Sequence, residues 1–220
     1  MRVLVFGDSI AHGASTIDGG WVMKLQSHFK KIDIENKTDV MPDVYNLSIS
    51  GDKTLDILKR FDNETNVRSV ENEVAILFAI GINDTQINDG KPISDFDTFL
   101  ENISKLTLIA KSYSNKIGFI GLTPVNELYS NPLEWAEPGF ELIGFTNKRI
   151  KSFDKIIDTF CIKENIKYIN VFDSFFEKMD TDGTSKKLLP DALHPSQKGH
   201  DLIFEILKND LLNFLSNESI

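Results

Sequence analysis

Val74-Ala75-Ile76-Leu77-Phe78-Ala79-Ile80-Gly81 is the stretch on which the fold turns. A continuous apolar run closed by a glycine offers water no polar side, so it suits a strand covered on both faces, as in parallel sheets. The chain on either side repeats the theme. Residues 2–6 form a shorter apolar run that stops at Gly7, before a helical pattern with Trp21, Leu25 and Phe29 on one face. Residues 44–48 read as a weaker strand ahead of Gly51 and a helix carrying Leu55, Leu58 and Phe61. After the central run, Ser94 is the expected cap of a helix with Phe96, Phe99, Leu100, Ile103 and Leu106 at helical spacing. A strand over 117–122, a long segment, a helix over 146–165 and a strand over 168–172 follow. Ser196 then caps a closing helix bearing Leu202, Ile203, Ile206, Leu207 and Leu211. Strands alternating with helices imply right-handed βαβ units, hence an α/β three-layer sandwich around a central five-stranded parallel sheet. With no repeat, low-complexity tract or linker, residues 1–220 are expected to form a single domain.

The charge balance narrows the partners. Twenty-four basic residues against 33 acidic ones give a net charge of −9, which disfavours nucleic acid and anionic membranes, since both need clustered Lys and Arg. No apolar run reaches membrane-spanning length, and the apolar start is too short for a secretory signal, so the default location is cytoplasmic. Cys161 is the only cysteine, excludes an intrachain disulfide, and lies in a helical pattern that suits an inert buried thiol. Oligomeric state is not legible.

In such sheets ligands bind outside the carboxyl ends of the strands, and reactive residue types recur there. Gly7-Asp8-Ser9-Ile10 places a hydroxyl just past a buried strand, where it can attack and its own N–H can face a developing oxyanion. Taken alone, Ser9 reads equally well as a helix cap. Gly51 permits close approach of a second N–H, and otherwise reads as a loop turn. Gly81-Ile82-Asn83-Asp84 follows the central strand; the Asn83 amide is a good oxyanion donor, or else an Asx-turn, and Asp84 is expected to support the loop. In Asp191-Ala192-Leu193-His194, a carboxylate three residues before an imidazole can hold one ring nitrogen while the other faces a serine. His12, His28 and His200 lack a carboxylate at that spacing and read as structural or surface residues.

Each motif is weak alone, but four in this order are not. The chain resembles the GDSL, or SGNH, hydrolase family over nearly its whole length. Gly7-Asp8-Ser9-Ile10 is similar to that family's first motif, with Ile10 where Leu is usual. Gly51, preceded by Asn46 and followed by Thr54, is similar to the second; Gly81, Asn83 and Asp84 to the third; Asp191 and His194 to the fourth. The resemblance implies a flavodoxin-like three-layer fold and no cofactor. It implies Ser9 as nucleophile, His194 as base and Asp191 as its orienter, with an oxyanion hole of Ser9 N–H, Gly51 N–H and the Asn83 side chain.

The expected reaction is hydrolysis of a small carboxylic ester (lysophospholipid, acylated sugar, thioester or simple acyl ester) through an acyl-enzyme. Acyl transfer at the same site, or a non-catalytic flavodoxin-like binding module, are the alternatives. An all-carboxylate metal site built from Asp8, Asp84, Asp173 and Asp191 would leave Ser9, Asn83 and His194 without a shared purpose, so no metal is expected. The aperiodic segment 123–144 leaves a strand at its carboxyl end. Its Trp135 and Phe140 are candidates to cover an acyl chain or a sugar face, or else tuck into the core.

Overall fold

A computed structural model describes residues 1–37, 39, 41–70, 73–133, 142–179 and 184–216. Five strands, β1 (Arg2–Gly7), β2 (Asp43–Asn46), β3 (Val74–Ala79), β6 (Ile117–Ile120) and β8 (Lys167–Ile169), form one parallel sheet in the order β2-β1-β3-β6-β8. β1 and β3 are buried along almost their whole length, as apolar runs with no polar face must be. They pair in register from Arg2 with Val74 to Gly7 with Ala79.

Helices α2 (Gly20–Asn36) and α8 (Gln197–Ser216) pack on one another, as do α3 (Thr54–Ser69) with α4 (Phe96–Ala110), and α4 with α5 (Asn147–Glu164). Among the described residues, the other helices are the short α1 (Ser9–His12), α6 (Phe172–Met179) and α7 (Thr184–Leu188). Phe6, Phe61, Phe78 and Phe119 stack in sequence, with centroids 4.8, 5.4 and 4.9 Å apart, and fill the layer between sheet and helices.

The elements depart from the sequence pattern at their ends, for physical reasons. The strand expected over 117–122 stops at Ile120, and the N–H of Leu122 goes to the buried carboxylate of Asp154 at 2.8 Å. The strand expected over 168–172 stops at Ile169, and Phe172 opens α6 instead. Asp95, not Ser94, caps α4: its Oδ1 accepts from Thr98 N at 2.7 Å, a charge-assisted bond at a helix N-terminus that a hydroxyl cannot match. Segment 123–144 is not structureless throughout. Its end forms β7 (Ile143–Gly144), which pairs antiparallel with β4 (Ile87–Asn88), itself paired with β5 (Lys91–Pro92). The hairpin turns on Asp89 and Gly90, at φ 47° and 77°, where a tight turn needs left-handed backbone. Among the described residues, no helix is long and apolar enough to cross a membrane.

Candidate active site

The order β2-β1-β3 makes the gap between β1 and β3 a topological switch point. The chain leaves β1 for α2 on one face and leaves β3 for α4 on the other, which opens a crevice above the two carboxyl ends. Ser9 lies just past β1 and Asn83 just past β3.

Asp8, not Ser9, caps α1. Its side chain accepts from Ile10 N at 2.9 Å, which leaves the adjacent hydroxyl uncommitted to capping. The turn needs glycine at position 7: a Cβ there would lie 2.5 Å from the Ala11 methyl and 2.7 Å from the Ala79 carbonyl oxygen. Asn46 ties this corner to β2, donating to Ala11 O at 2.9 Å and accepting from Ser48 N at 3.1 Å.

The last loop brings His194 to Ser9. His194 Nε2 lies 3.0 Å from Ser9 Oγ, and its Nδ1 lies 2.7 Å from Asp191 Oδ2. Asp191 Oδ1 also accepts the backbone N–H of Leu193 at 3.1 Å and of His194 at 2.7 Å, so one carboxylate shapes the loop and fixes the ring. Ala192 between them takes φ 74°, a conformation L-residues rarely adopt, and its carbonyl is held by Asn126 N at 2.9 Å. Burial opposes charge on Asp191, but the bonds from the His194 ring and N–H outweigh it and hold the carboxyl below its usual range.

The other candidates converge from two loops. Gly51 sits at φ 87°, a backbone region glycine enters freely. Asn83 opens a single 3-10 turn over Asn83–Thr85 and donates through Nδ2 to Asp52 O at 2.9 Å, which joins its loop to that of Gly51. Asp84 supports the pair from below, accepting from Thr54 N at 3.0 Å and Thr54 Oγ1 at 2.5 Å, while Asn102 Nδ2 donates to the same hydroxyl at 3.1 Å.

Two buried carboxyls beneath the crevice escaped the sequence reading as electrostatic partners. Burial raises Asp8 to about 7 against the bond from Ile10 and the attraction of His194, with Asp84 adding to the rise. Asp84 is raised to about 6 by burial, partly offset by Thr54. A carboxyl next to a candidate nucleophile, at a strand end whose neighbours are all apolar, was the available signal. Elsewhere, Cys161 is buried and its thiol is pushed up to about 12, which suits an inert role. His200 is buried, accepts from Trp21 N at 3.3 Å and is lowered by desolvation to about 4. Trp135 and Phe140 lie outside the described residues.

A hydroxyl, an imidazole and a carboxylate in series can move a proton off the hydroxyl, and the loops that carry Gly51 and Asn83 follow the neighbouring strands of the same sheet. The family model described as GDSL-like Lipase/Acylhydrolase matches residues 3–207. The chain is similar to the lipase/acylhydrolase from Enterococcus faecalis, with 26% identity, 100% of both chains covered and a TM-score of 0.70. In fold it is also similar to Axe2, an acetylxylan esterase from Geobacillus stearothermophilus (18% identity, 99% and 94% covered, TM-score 0.69). The same holds for the psychrotrophic esterase EstA from Pseudoalteromonas sp., a structure inhibited by monoethylphosphonate (20% identity, 98% and 99% covered, TM-score 0.67). Comparison with curated proteins gives no match.

Proposed function

The chain belongs to the GDSL-like lipase/acylhydrolase family and is a hydrolase of ester bonds, and from that premise we propose that it cleaves small carboxylic esters through an acyl-enzyme on Ser9. The observation that carries the residue assignment is the unbroken line from Ser9 Oγ to His194 Nε2 at 3.0 Å and from His194 Nδ1 to Asp191 Oδ2 at 2.7 Å. His194 Nε2 takes the hydroxyl proton as Ser9 Oγ bonds to the acyl carbon. The carbonyl π electrons move to oxygen, and Ser9 N–H, Gly51 N–H and Asn83 Nδ2 receive that charge. One Asn83 amide hydrogen is held by Asp52 O, which orients the other.

Collapse of the tetrahedral species breaks the bond to the leaving oxygen, which takes the proton from the His194 imidazolium. Water then enters, gives a proton to His194, and displaces Ser9 by the same steps reversed. Asp191 accepts throughout from Nδ1–H, which keeps the tautomer in which Nε2 is the base. Every proton transfer is supplied by side chains, so the scheme needs no cofactor. All these groups lie on loops of one sheet, which supports reading residues 1–220 as one domain.

The test is kinetic. Ser9→Ala and His194→Ala should each lower kcat by ~10³-fold or more, and the double variant by little more than either, because the two act as a unit. Multiplicative losses, or an active Ser9→Ala, would reject the assignment.

A further inference from the structure

Asp8 is a buried ionisable group that the scheme above leaves unused. Its carboxyl lines a small cavity of about 30 Å³, together with Thr123 from the loop after β6. Thr123 is 4% exposed, and its hydroxyl has no hydrogen-bond partner among the described residues. Orphaned buried hydroxyls are rare in folded proteins, and a cavity of this size with two polar groups on its wall has room for a water molecule. Apart from Asp8, the cavity wall carries no ionisable side chain among the described residues: Trp21 of α2, Ile120 of β6, Leu122 and Val171 from the loops after β6 and β8, and Ile203 of α8 lie along it. The charges that act on Asp8 are therefore His194 from the last loop, which draws its negative form, and Asp84 from the turn after β3, which opposes it.

We infer that Asp8 is a positioning residue: its carboxyl, tied to Thr123 by a water in this cavity, places a negative charge below His194 and stabilises the imidazolium formed as Ser9 attacks. The inference rests on the serine-hydrolase reading. Asp8 immediately precedes Ser9, whose Oγ lies 3.0 Å from His194 Nε2, and the charge of His194 acts on the Asp8 carboxyl. Its bond to Ile10 N holds one oxygen in place, and Asn can make the same bond without the charge. Burial, with Asp84 nearby, lifts its ionisation to about 7, so its charge appears as the pH rises through neutrality.

The experiment is the pH profile of kcat and kcat/KM on phenyl acetate for the native chain, Asp8→Asn and Thr123→Val, with melting temperatures as a check on folding. The native profile should show an extra rise as Asp8 ionises near pH 7. Asp8→Asn should lack that rise and reach a kcat plateau lower by about tenfold, with KM changed less than twofold. Thr123→Val keeps the shape but removes the water's second partner, so the carboxylate is less solvated and the rise should move to higher pH. A native-like profile in Asp8→Asn, an equal loss at every pH, or an unmoved rise in Thr123→Val would each overturn the inference. Covalent labelling of the native chain by a fluorophosphonate separates the two levels. Without a labelled Ser9 the serine-hydrolase reading itself fails; with one, the outcomes above judge Asp8 alone.

Discussion

At the residue scale, the proposed scheme divides labour between groups that move a proton and groups that wait for a charge. Asn83 belongs to the second kind, since an amide N–H bonds an oxyanion more strongly than a neutral carbonyl. Asn83→Ala should lower kcat by ~10²–10³-fold while KM changes far less. A defect mainly in KM would make Asn83 a substrate-binding residue. Asp191 belongs to the first kind, at one remove. Asp191→Asn can still bond the loop N–H groups but favours the wrong ring tautomer, so kcat should fall by ~10³–10⁴-fold with Ser9 still slowly labelled. Full activity in that variant, with loss in Asp84→Asn, would move the orienting role to Asp84. The meeting of Ser9, His194 and Asp191 was legible because their types and spacing suggest a chemistry that needs them together. Asp8 was not, because its importance comes from burial and from Asp84, which arrives from 76 positions later in the chain.

At the scale of elements, periodicity marked where each main strand and helix lies but not where it ends. Ends are settled by individual hydrogen bonds, such as Asp95 on Thr98 N, that compete within a fraction of a kcal/mol to about 2 kcal/mol. The hairpin of β4 and β5 was missed because each arm has two residues, too few to show alternation. Its readable signal was the Asp89-Gly90 pair, which favours the turn found there. Asp154 shows what one such bond does to stability. It fastens Leu122 N and, at 2.7 Å, the Tyr168 hydroxyl, yet burial raises it from 3.8 to about 6. The folded state therefore holds this proton to higher pH than the unfolded chain does. Its contribution is best below pH 3.8 and declines as pH rises through 6, by on the order of 2 kcal/mol. Chemical denaturation of the native chain and Asp154→Asn at pH 4 and pH 8 checks this. The native chain's advantage should shrink by about that amount at the higher pH, and a constant difference would refute it.

At the scale of the whole molecule, the strand order does the gathering. Ser9, Gly51, Asn83 and His194 are spread over most of the sequence, and a parallel sheet returns each of their loops to the same edge. That convergence was legible once the alternation of strand and helix was read, since parallel connections leave no other arrangement. Acyl preference was not, because an aperiodic segment such as 123–144 carries no repeating signal of its path. Trp135 in that segment is expected to touch the acyl chain: Trp135→Ala should lower kcat/KM for long-chain esters by several-fold more than for acetate esters. Equal losses on both, with a lower melting temperature, would place it in the core.

The central claim is that Ser9 is an activated nucleophile. Reaction of the native chain with a fluorophosphonate, followed by peptide mass spectrometry, tests it most directly, because an ordinary serine hydroxyl does not react at an appreciable rate. The account predicts one adduct, on Ser9, absent in Ser9→Ala and slowed by ~10³-fold or more in His194→Ala, where the base is gone. A folded chain that stays unlabelled, or one labelled at another residue, would contradict it.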